Sequence, residues 1–403
     1  MVRQCVILLG GLGTRLGALT VDTPKPLLDV AGRPFVDYLV SEALRRGFDA
    51  ICLLAGYESH VVESYAIALR RRLPAGVTVT VSVETEPMGT GGALVKARHL
   101  LQDQFLLVNG DTWFDFNWLD LVTRIPSEHA TIAARSVPTA ERFDTLDVDG
   151  VKGLVRAIVP RGCAVNKSGL INGGLYCLRR NHLEGFEGKF SLEADLLPKL
   201  AAAGKLEART YEGFFLDIGI PETYLASQVI MRDKTRRPAL FLDRDGVINV
   251  DSGYVATPER FIWIPGATAL IRRANDAGWY VFVVTNQAGV AHGLYDEKKV
   301  RALHLWMSAQ IRPQGASIDD YRYCPFHPEA AIDEYRKNHP WRKPNPGMLI
   351  DLMAVWPIDQ RRSFLIGDRQ SDLAAATAAG LKSRLFTGGD ISAEMGHLIN
   401  SIH

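Results

Sequence analysis

Arg232-Asp233-Lys234-Thr235-Arg236-Arg237-Pro238, followed at once by Ala239-Leu240-Phe241-Leu242-Asp243-Arg244-Asp245, decides the architecture of this chain. Five of the first seven residues are charged and the seventh is a proline, which ends any helix arriving from Tyr224–Met231. A buried-type strand then begins afresh. Apolar runs of strand length lie on both sides of this seam: Val6–Leu9, Ile51–Leu54, Val77–Val83 and Phe105–Val108 before it, and Ala239–Leu242, Tyr280–Val284 and Ser363–Ile366 after it. Helix-length segments such as Pro34–Arg46 and Ala267–Ala277 separate them. Continuous apolar strands alternating with helices are the pattern of doubly wound α/β sheets buried on both faces. The sequence therefore predicts two doubly wound α/β domains, residues 1–231 and 239–403, with 232–238 as the linker. In such sheets ligands bind beyond the carboxyl ends of the strands, so the residues after each strand carry the functional reading.

Composition sets limits on that reading. The chain has 403 residues, 47% hydrophobic and 23% charged, with a formal net charge of +1. That balance favours neither nucleic acid nor an anionic membrane as a partner. The Arg70-Arg71-Arg72 run closes a helical pattern and suits a helix C-terminus. The cysteines, Cys5, Cys52, Cys163, Cys177 and Cys324, are scattered and odd in number, which predicts no disulfide framework and a reducing, cytoplasmic setting. Cys5–Leu9 runs straight into glycines and reads as a buried strand, not a signal peptide. No stretch approaches the roughly 20 apolar residues of a membrane span. A homo-oligomer is compatible with all of this.

The first strand ends in Gly10-Gly11-Leu12-Gly13-Thr14-Arg15-Leu16. Glycines let backbone N–H groups approach phosphate oxygens, and Arg15 adds a forked cation. Leu16 stands where a dinucleotide fingerprint needs glycine, and no Gly-Lys-Ser/Thr follows as a Walker A loop requires. Read alone, the run also fits a tight strand–helix turn. Thr23-Pro24-Lys25-Pro26-Leu27 then holds one lysine between two prolines. Together these motifs resemble the sugar-nucleotide pyrophosphorylase family. The resemblance extends over about residues 1–230 and implies a Rossmann-like nucleotidyltransferase domain. It implies that Gly10, Gly11, Gly13 and Thr14 lie on the triphosphate, and that Glu86, Gly89, Thr90 and Gly91 in the second glycine loop lie on the base and ribose. Asn109, Gly110, Asn172 and Gly173 would contact nucleotide or sugar, with Asp111 and Asp217 as Mg²⁺ ligands and Arg15 and Lys25 as catalytic cations. The Glu-Lys pair that many relatives carry before the sugar-contacting strand is missing; the corresponding stretch, Ala157–Gly162, offers Arg161 as a phosphate contact.

In the second half, Asp243 and Asp245 alternate at a strand end, so both carboxylates can face one phosphate. Asp243 can then attack phosphorus and Asp245 protonate the leaving oxygen, although the motif read alone is equally a solvated acidic turn. Thr285-Asn286-Gln287, Arg342-Lys343-Pro344 and Gly367-Asp368 follow in order. These segments resemble the motifs of haloacid-dehalogenase-type phosphatases. The resemblance implies Thr285 and Lys343 as catalytic partners of Asp243, Asn286 and Arg342 as substrate contacts, and Mg²⁺ on Asp243, Asp245 and Asp368. No insert large enough for a cap domain separates the motifs. The flanks resemble the heptose-bisphosphate and histidinol-phosphatase branch, which often carries a cysteine-rich zinc site. Here only Cys324, His327 and His339 remain around it, so no zinc is expected. The family's arginine after Thr-Asn-Gln is replaced by His292.

The first half is most similar to heptose-1-phosphate guanylyltransferases and the second to heptose-bisphosphate 7-phosphatases. Their combination implies a two-step enzyme: the 7-phosphate leaves a heptose 1,7-bisphosphate, and GTP then activates the 1-phosphate to a GDP-heptose. Two alternatives stay open. One is a hexose-1-phosphate uridylyl- or thymidylyltransferase joined to a phosphatase of other scope. In the other, one half is a binding module without catalysis.

Overall fold

The computed structural model describes residues 1–400 apart from 12, 124, 127, 142, 161 and 163–167. The chain divides into two compact units, Met1–Asp233 and Lys234–His403. The seam differs from the expected loop: helix Pro221–Thr235 runs through its first four residues.

In the first unit, strands Gln4–Leu8, Ala50–Ala55, Thr78–Val83 and Gln104–Asn109 are parallel neighbours. Alternate side chains leave this sheet on opposite faces. Cys5, Ile7, Leu106 and Val108 enter one apolar core, while Val6, Phe105 and Leu107 enter another. This double burial is why these strands read as unbroken apolar runs. Beyond them the sheet turns mixed. Strand Gly169–Arg179 pairs antiparallel with Gln104–Asn109 and with Ala130–Val137. A separate ribbon pairs Phe215–Asp217 antiparallel with Thr112–Phe114, opposing Asp217 to Thr112. Asp217 thus reaches the first strand-end aspartate through this ribbon, not through a parallel strand.

The second unit is a five-stranded, wholly parallel sheet. Its order is Asp320–Cys324, Tyr280–Asn286, Ala239–Leu242, Phe364–Gly367 and Lys382–Leu385. Leu240 and Leu242 pack into one core, and Ala239 and Phe241 into the other. The three central strands deliver the expected phosphate-handling residues to one edge. Among the described residues, no helix is long and apolar enough to cross a membrane. Cys5, Cys52, Cys177 and Cys324 are free and buried; Cys163 lies outside the described residues.

Two candidate active sites

Asp243 follows strand Ala239–Leu242, Thr285 sits in the adjacent strand Tyr280–Asn286, and Asp368 follows the other neighbour, Phe364–Gly367. Asp243 and Thr285 line a cavity of about 440 Å³ together with Asp245, Asn286, Arg342 and Lys343, and Asp368 lies next to Asp243. The buried Lys343 ammonium lies 2.8 Å from Asp243 Oδ1 and 2.6 Å from Asp372 Oδ1. It also donates to the Val284 carbonyl at 2.9 Å. Burial by itself would lower the Lys343 pKa, but Asp243 and Asp372 outweigh it and raise it. Burial raises the Asp243 pKa; Lys343 opposes the rise, and Asp372 and Asp245 add to it.

Asp243, Asp368 and Asp372 offer oxygens that all lie within 4.8 Å of one another. Burial, then Asp372, raise the Asp368 pKa, and Asp368 Oδ1 is buried without a hydrogen-bond partner. Gly246 permits this approach: a Cβ there would meet Asp368 Oδ2 at 2.3 Å. Crowded carboxylates with an unsatisfied oxygen fit a hard divalent cation. The Asp245 side chain, expected among the metal ligands, is instead held elsewhere. It accepts from the fully buried Arg244 at 2.9 Å, from Asn249 at 3.0 Å and from Gln287 at 2.9 Å. Those bonds leave it in the cavity lining. Asp372, which the sequence reading did not name, is the third side chain of the carboxylate cluster.

Other expected residues also have bonds within the protein. Asn286 spends both ends of its amide on the Lys343 backbone, donating to its carbonyl and accepting from its N–H, each at 3.1 Å. It therefore positions Lys343. Gln287 donates to Asp245 and, at 2.9 Å, to Thr285 Oγ1, tying two expected catalytic groups together. Only the strand-end context, and not the residue type, marks Gln287 in sequence. Cys324, His327 and His339 form no metal-ligand group among the described residues. His327 Nδ1 accepts from the Glu329 N–H at 3.0 Å and His339 Nδ1 from the Trp341 N–H at 3.1 Å. The His339 ring stacks on Phe326, with centroids 4.4 Å apart.

In the first unit, a cavity of about 630 Å³ brings together Arg15, Asn109, Asp111, Asn172 and Asp217. Lys25, buried between its prolines, lies 2.5 Å from Asp111 Oδ2. Burial and the Asp111 charge raise the Asp217 pKa, while the Gly219 N–H, Lys25 and Arg15 oppose the rise. Two mutually repelling carboxylates in the lining of one cavity again fit a divalent cation. Gly10 and Glu86 line a separate cavity of about 220 Å³ with Gly56, Tyr57, Glu84, Thr85 and Pro87. Gly11 and Thr14 are exposed on the first glycine loop, and Gly13 adopts the left-handed conformation that starts the turn Thr14–Thr20. Gly110 and Gly173 are buried against Leu8 and Phe114 respectively and act as close-packing positions.

The second glycine loop is latched from behind. Gly91 and Gly92 donate their N–H groups to the Phe190 carbonyl at 3.1 and 3.2 Å. A Cβ on Gly91 would strike the Phe190 ring at 2.2 Å, which accounts for glycine there; Gly89 likewise abuts the Phe190 carbonyl. Thr90 Oγ1 accepts from the Leu192 N–H at 2.9 Å and donates to Glu193 at 2.7 Å, so its hydroxyl is engaged within the protein. Asp144, Ser191 and Glu193 line the larger cavity, and sequence motifs did not single them out. Arg161 lies outside the described residues.

Both halves of the chain have relatives among known proteins. The nucleotidyl transferase family matches residues 4–234, and the HAD-hydrolase-like family matches 340–400. A D-glycero-β-D-manno-heptose-1,7-bisphosphate 7-phosphatase of Rhodopseudomonas palustris is 56% identical over 156 residues, 39% of this chain and 87% of its own length. A D-glycero-α-D-manno-heptose-1,7-bisphosphate 7-phosphatase of Burkholderia mallei is 43% identical over 147 residues, 36% of this chain and 78% of its own. The crystal structure of HddC from Yersinia pseudotuberculosis with GMP-PN matches at TM-score 0.50 and 33% identity, covering 57% of this chain and 99% of that one.

Proposed function

This chain belongs to the nucleotidyl transferase family through its first half and to the D-glycero-D-manno-heptose-1,7-bisphosphate 7-phosphatases through its second, and on that premise we propose that it makes a GDP-heptose in two steps. The second unit removes the 7-phosphate of D-glycero-D-manno-heptose 1,7-bisphosphate. The first then transfers GMP from GTP to heptose 1-phosphate and releases pyrophosphate. Residues 1–231 and 239–403 carry the two activities. The observation that carries the reading is the presence on one chain of both assembled sites: the Asp243–Lys343 pair beside Asp368, and the Arg15, Lys25, Asp111 and Asp217 group. The guanine nucleotide in the HddC complex supports GTP as the donor.

In the phosphatase step Asp243 attacks phosphorus while Thr285 and Lys343 bind the phosphoryl oxygens. Asp245, aimed by Arg244 and Gln287, gives a proton to the departing sugar oxygen and then takes one from the attacking water. In the transfer step the sugar 1-phosphate oxygen displaces pyrophosphate from the α-phosphorus. Attack of one anion on another calls for positioning and charge neutralisation, which Arg15 and Lys25 supply. Asp243 and Asp368 in one unit, and Asp111 and Asp217 in the other, would hold Mg²⁺, which when bound neutralises phosphoryl charge.

The test offers both anomers of heptose 1,7-bisphosphate with four nucleoside triphosphates and Mg²⁺ and identifies products by mass. GDP-heptose with GTP is expected; a preference for UTP or dTTP with a hexose 1-phosphate would sink the assignment. Asp243→Asn should abolish phosphate release and leave pyrophosphate release from heptose 1-phosphate intact, and Asp111→Ala should do the opposite.

A further inference from the structure

The transfer cavity contains a carboxylate that neither the phosphate chemistry nor charge pairing accounts for. Glu193 lines it together with Arg15, Asn109 and Asn172. Glu193 is half-buried, and among the described residues no lysine, arginine or histidine forms an ion pair with it. Its Oε2 accepts from Thr90 Oγ1 at 2.7 Å and from Ser191 Oγ at 3.1 Å, so both of its protein partners are neutral hydroxyls.

The local backbone is specialised to present it. Ser191 caps the segment by accepting from the Ala194 N–H, and Leu192–Leu196 forms one π-helical turn before the helix Leu197–Ala202. A π turn inserts a residue into the helical repeat and commonly marks a position set for function. Leu192 and Leu196 are buried in the core, which leaves Glu193 facing the cavity. The same segment is stitched to the second glycine loop by Phe190 and Leu192.

A carboxylate only accepts hydrogen bonds. The phosphates of both substrates are anions with no proton to donate, and Glu193 repels them toward Arg15 and Lys25. Hydroxyl groups are the donors that a sugar phosphate offers. We propose that Glu193 binds the sugar hydroxyls of the 1-phosphate substrate and sets sugar specificity, with its bond to Thr90 holding it in register with the nucleotide loop. Neighbouring Asn172, which donates to Tyr176 Oη at 2.8 Å, shares that wall. Glu193 thereby supplies, from beyond the sugar-contacting strand, the acid that is missing ahead of it. This inference rests on the nucleotidyl-transfer reading.

The test compares wild type and Glu193→Gln, which keeps the size and an acceptor for Thr90 but removes the charge. KM and kcat are measured for GTP and for heptose 1-phosphate with Mg²⁺ in the full chain. A charged hydrogen bond to substrate predicts that KM for the sugar rises by about fivefold or more while KM for GTP stays within about twofold. A smaller rise for the sugar, or a comparable rise for GTP, overturns the proposal; the latter would place the carboxylate on the ribose. A second measurement needs no variant: wild type is assayed with single-deoxy analogues of the sugar 1-phosphate. At least one should lose about fivefold or more in kcat/KM, and uniform use of all of them overturns the proposal. If wild type makes no nucleotide sugar, the transfer reading fails; if wild type is active and Glu193→Gln is unchanged, only the role of Glu193 fails.

Discussion

The ammonium of Lys343 lies 2.8 Å from the Asp243 carboxylate in the buried floor of the second unit's cavity. Its other partner, Asp372 Oδ1 at 2.6 Å, makes it a cation shared by two buried acids. Lys343→Met should therefore do more than slow catalysis. Removing the cation leaves an uncompensated buried pair, a loss on the order of 3–5 kcal/mol in stability. Phosphate release should fall by about a hundredfold or more. Adding Asp372→Asn should restore much of the thermal stability of the second unit without restoring phosphatase activity. Equal recovery of both would mean that Lys343 is structural alone.

Gln287 joins Asp245 to Thr285 through two bonds of 2.9 Å each. Gln287→Ala should free the Asp245 side chain on that side, though Arg244 still holds it. Positioning lost in this way should lower kcat by about tenfold to a hundredfold with little change in KM. An unchanged kcat with a lowered Tm would assign Gln287 to folding only.

Around Cys324 both neighbouring imidazoles use Nδ1 within their own loops, and Phe326 stacks on His339. Dialysis against a zinc-selective chelator, followed by Mg²⁺ readdition, should leave phosphatase rate and Tm unchanged. Cys324→Ser, a small buried polar replacement, should cost about 1–2 kcal/mol through desolvation and keep full activity. Stoichiometric zinc in the purified protein, with activity lost on its removal, would contradict this.

His304 is buried on helix Glu297–Ile311, stacked on Tyr321 with centroids 4.5 Å apart. Burial, with the Arg244 charge adding, pushes its pKa down to about 3 from 6.5. The unfolded chain takes up a proton as pH falls through the ordinary value, and the folded chain does not. Its contribution is thus complete above that value and is lost progressively below it, amounting to about 2 kcal/mol by about pH 5. Denaturant unfolding and hydrogen exchange of this helix, at about pH 8 and about pH 5, should show the loss in wild type. His304→Phe, which keeps the stack, should flatten the difference.

Much of this was legible in the sequence because it is local. Unbroken apolar runs give away strands buried on both faces, and the residue after each strand is carried to the same sheet edge. Asp243, Thr285 and Asp368 could be placed in this way, as could Asp111 after Asn109-Gly110. The family motifs added roles to those positions. What lay beyond reach were choices made by contacts across the chain. Asp372, four residues past Asp368, joins the acids only because its helix packs back and Lys343 arrives from a distant loop. Asp245 is taken out of that cluster by a buried arginine next to it whose orientation no pattern announces. Glu193 faces the sugar cavity because a π turn and a glycine loop 103 residues away in sequence fix it there. By itself the sequence determined two α/β units and the strand ends at which chemistry could occur. The tertiary structure alone decided which carboxylates share a cation, which aim at a substrate and which merely hold another residue, because each of those depends on burial and on partners that chain order does not encode.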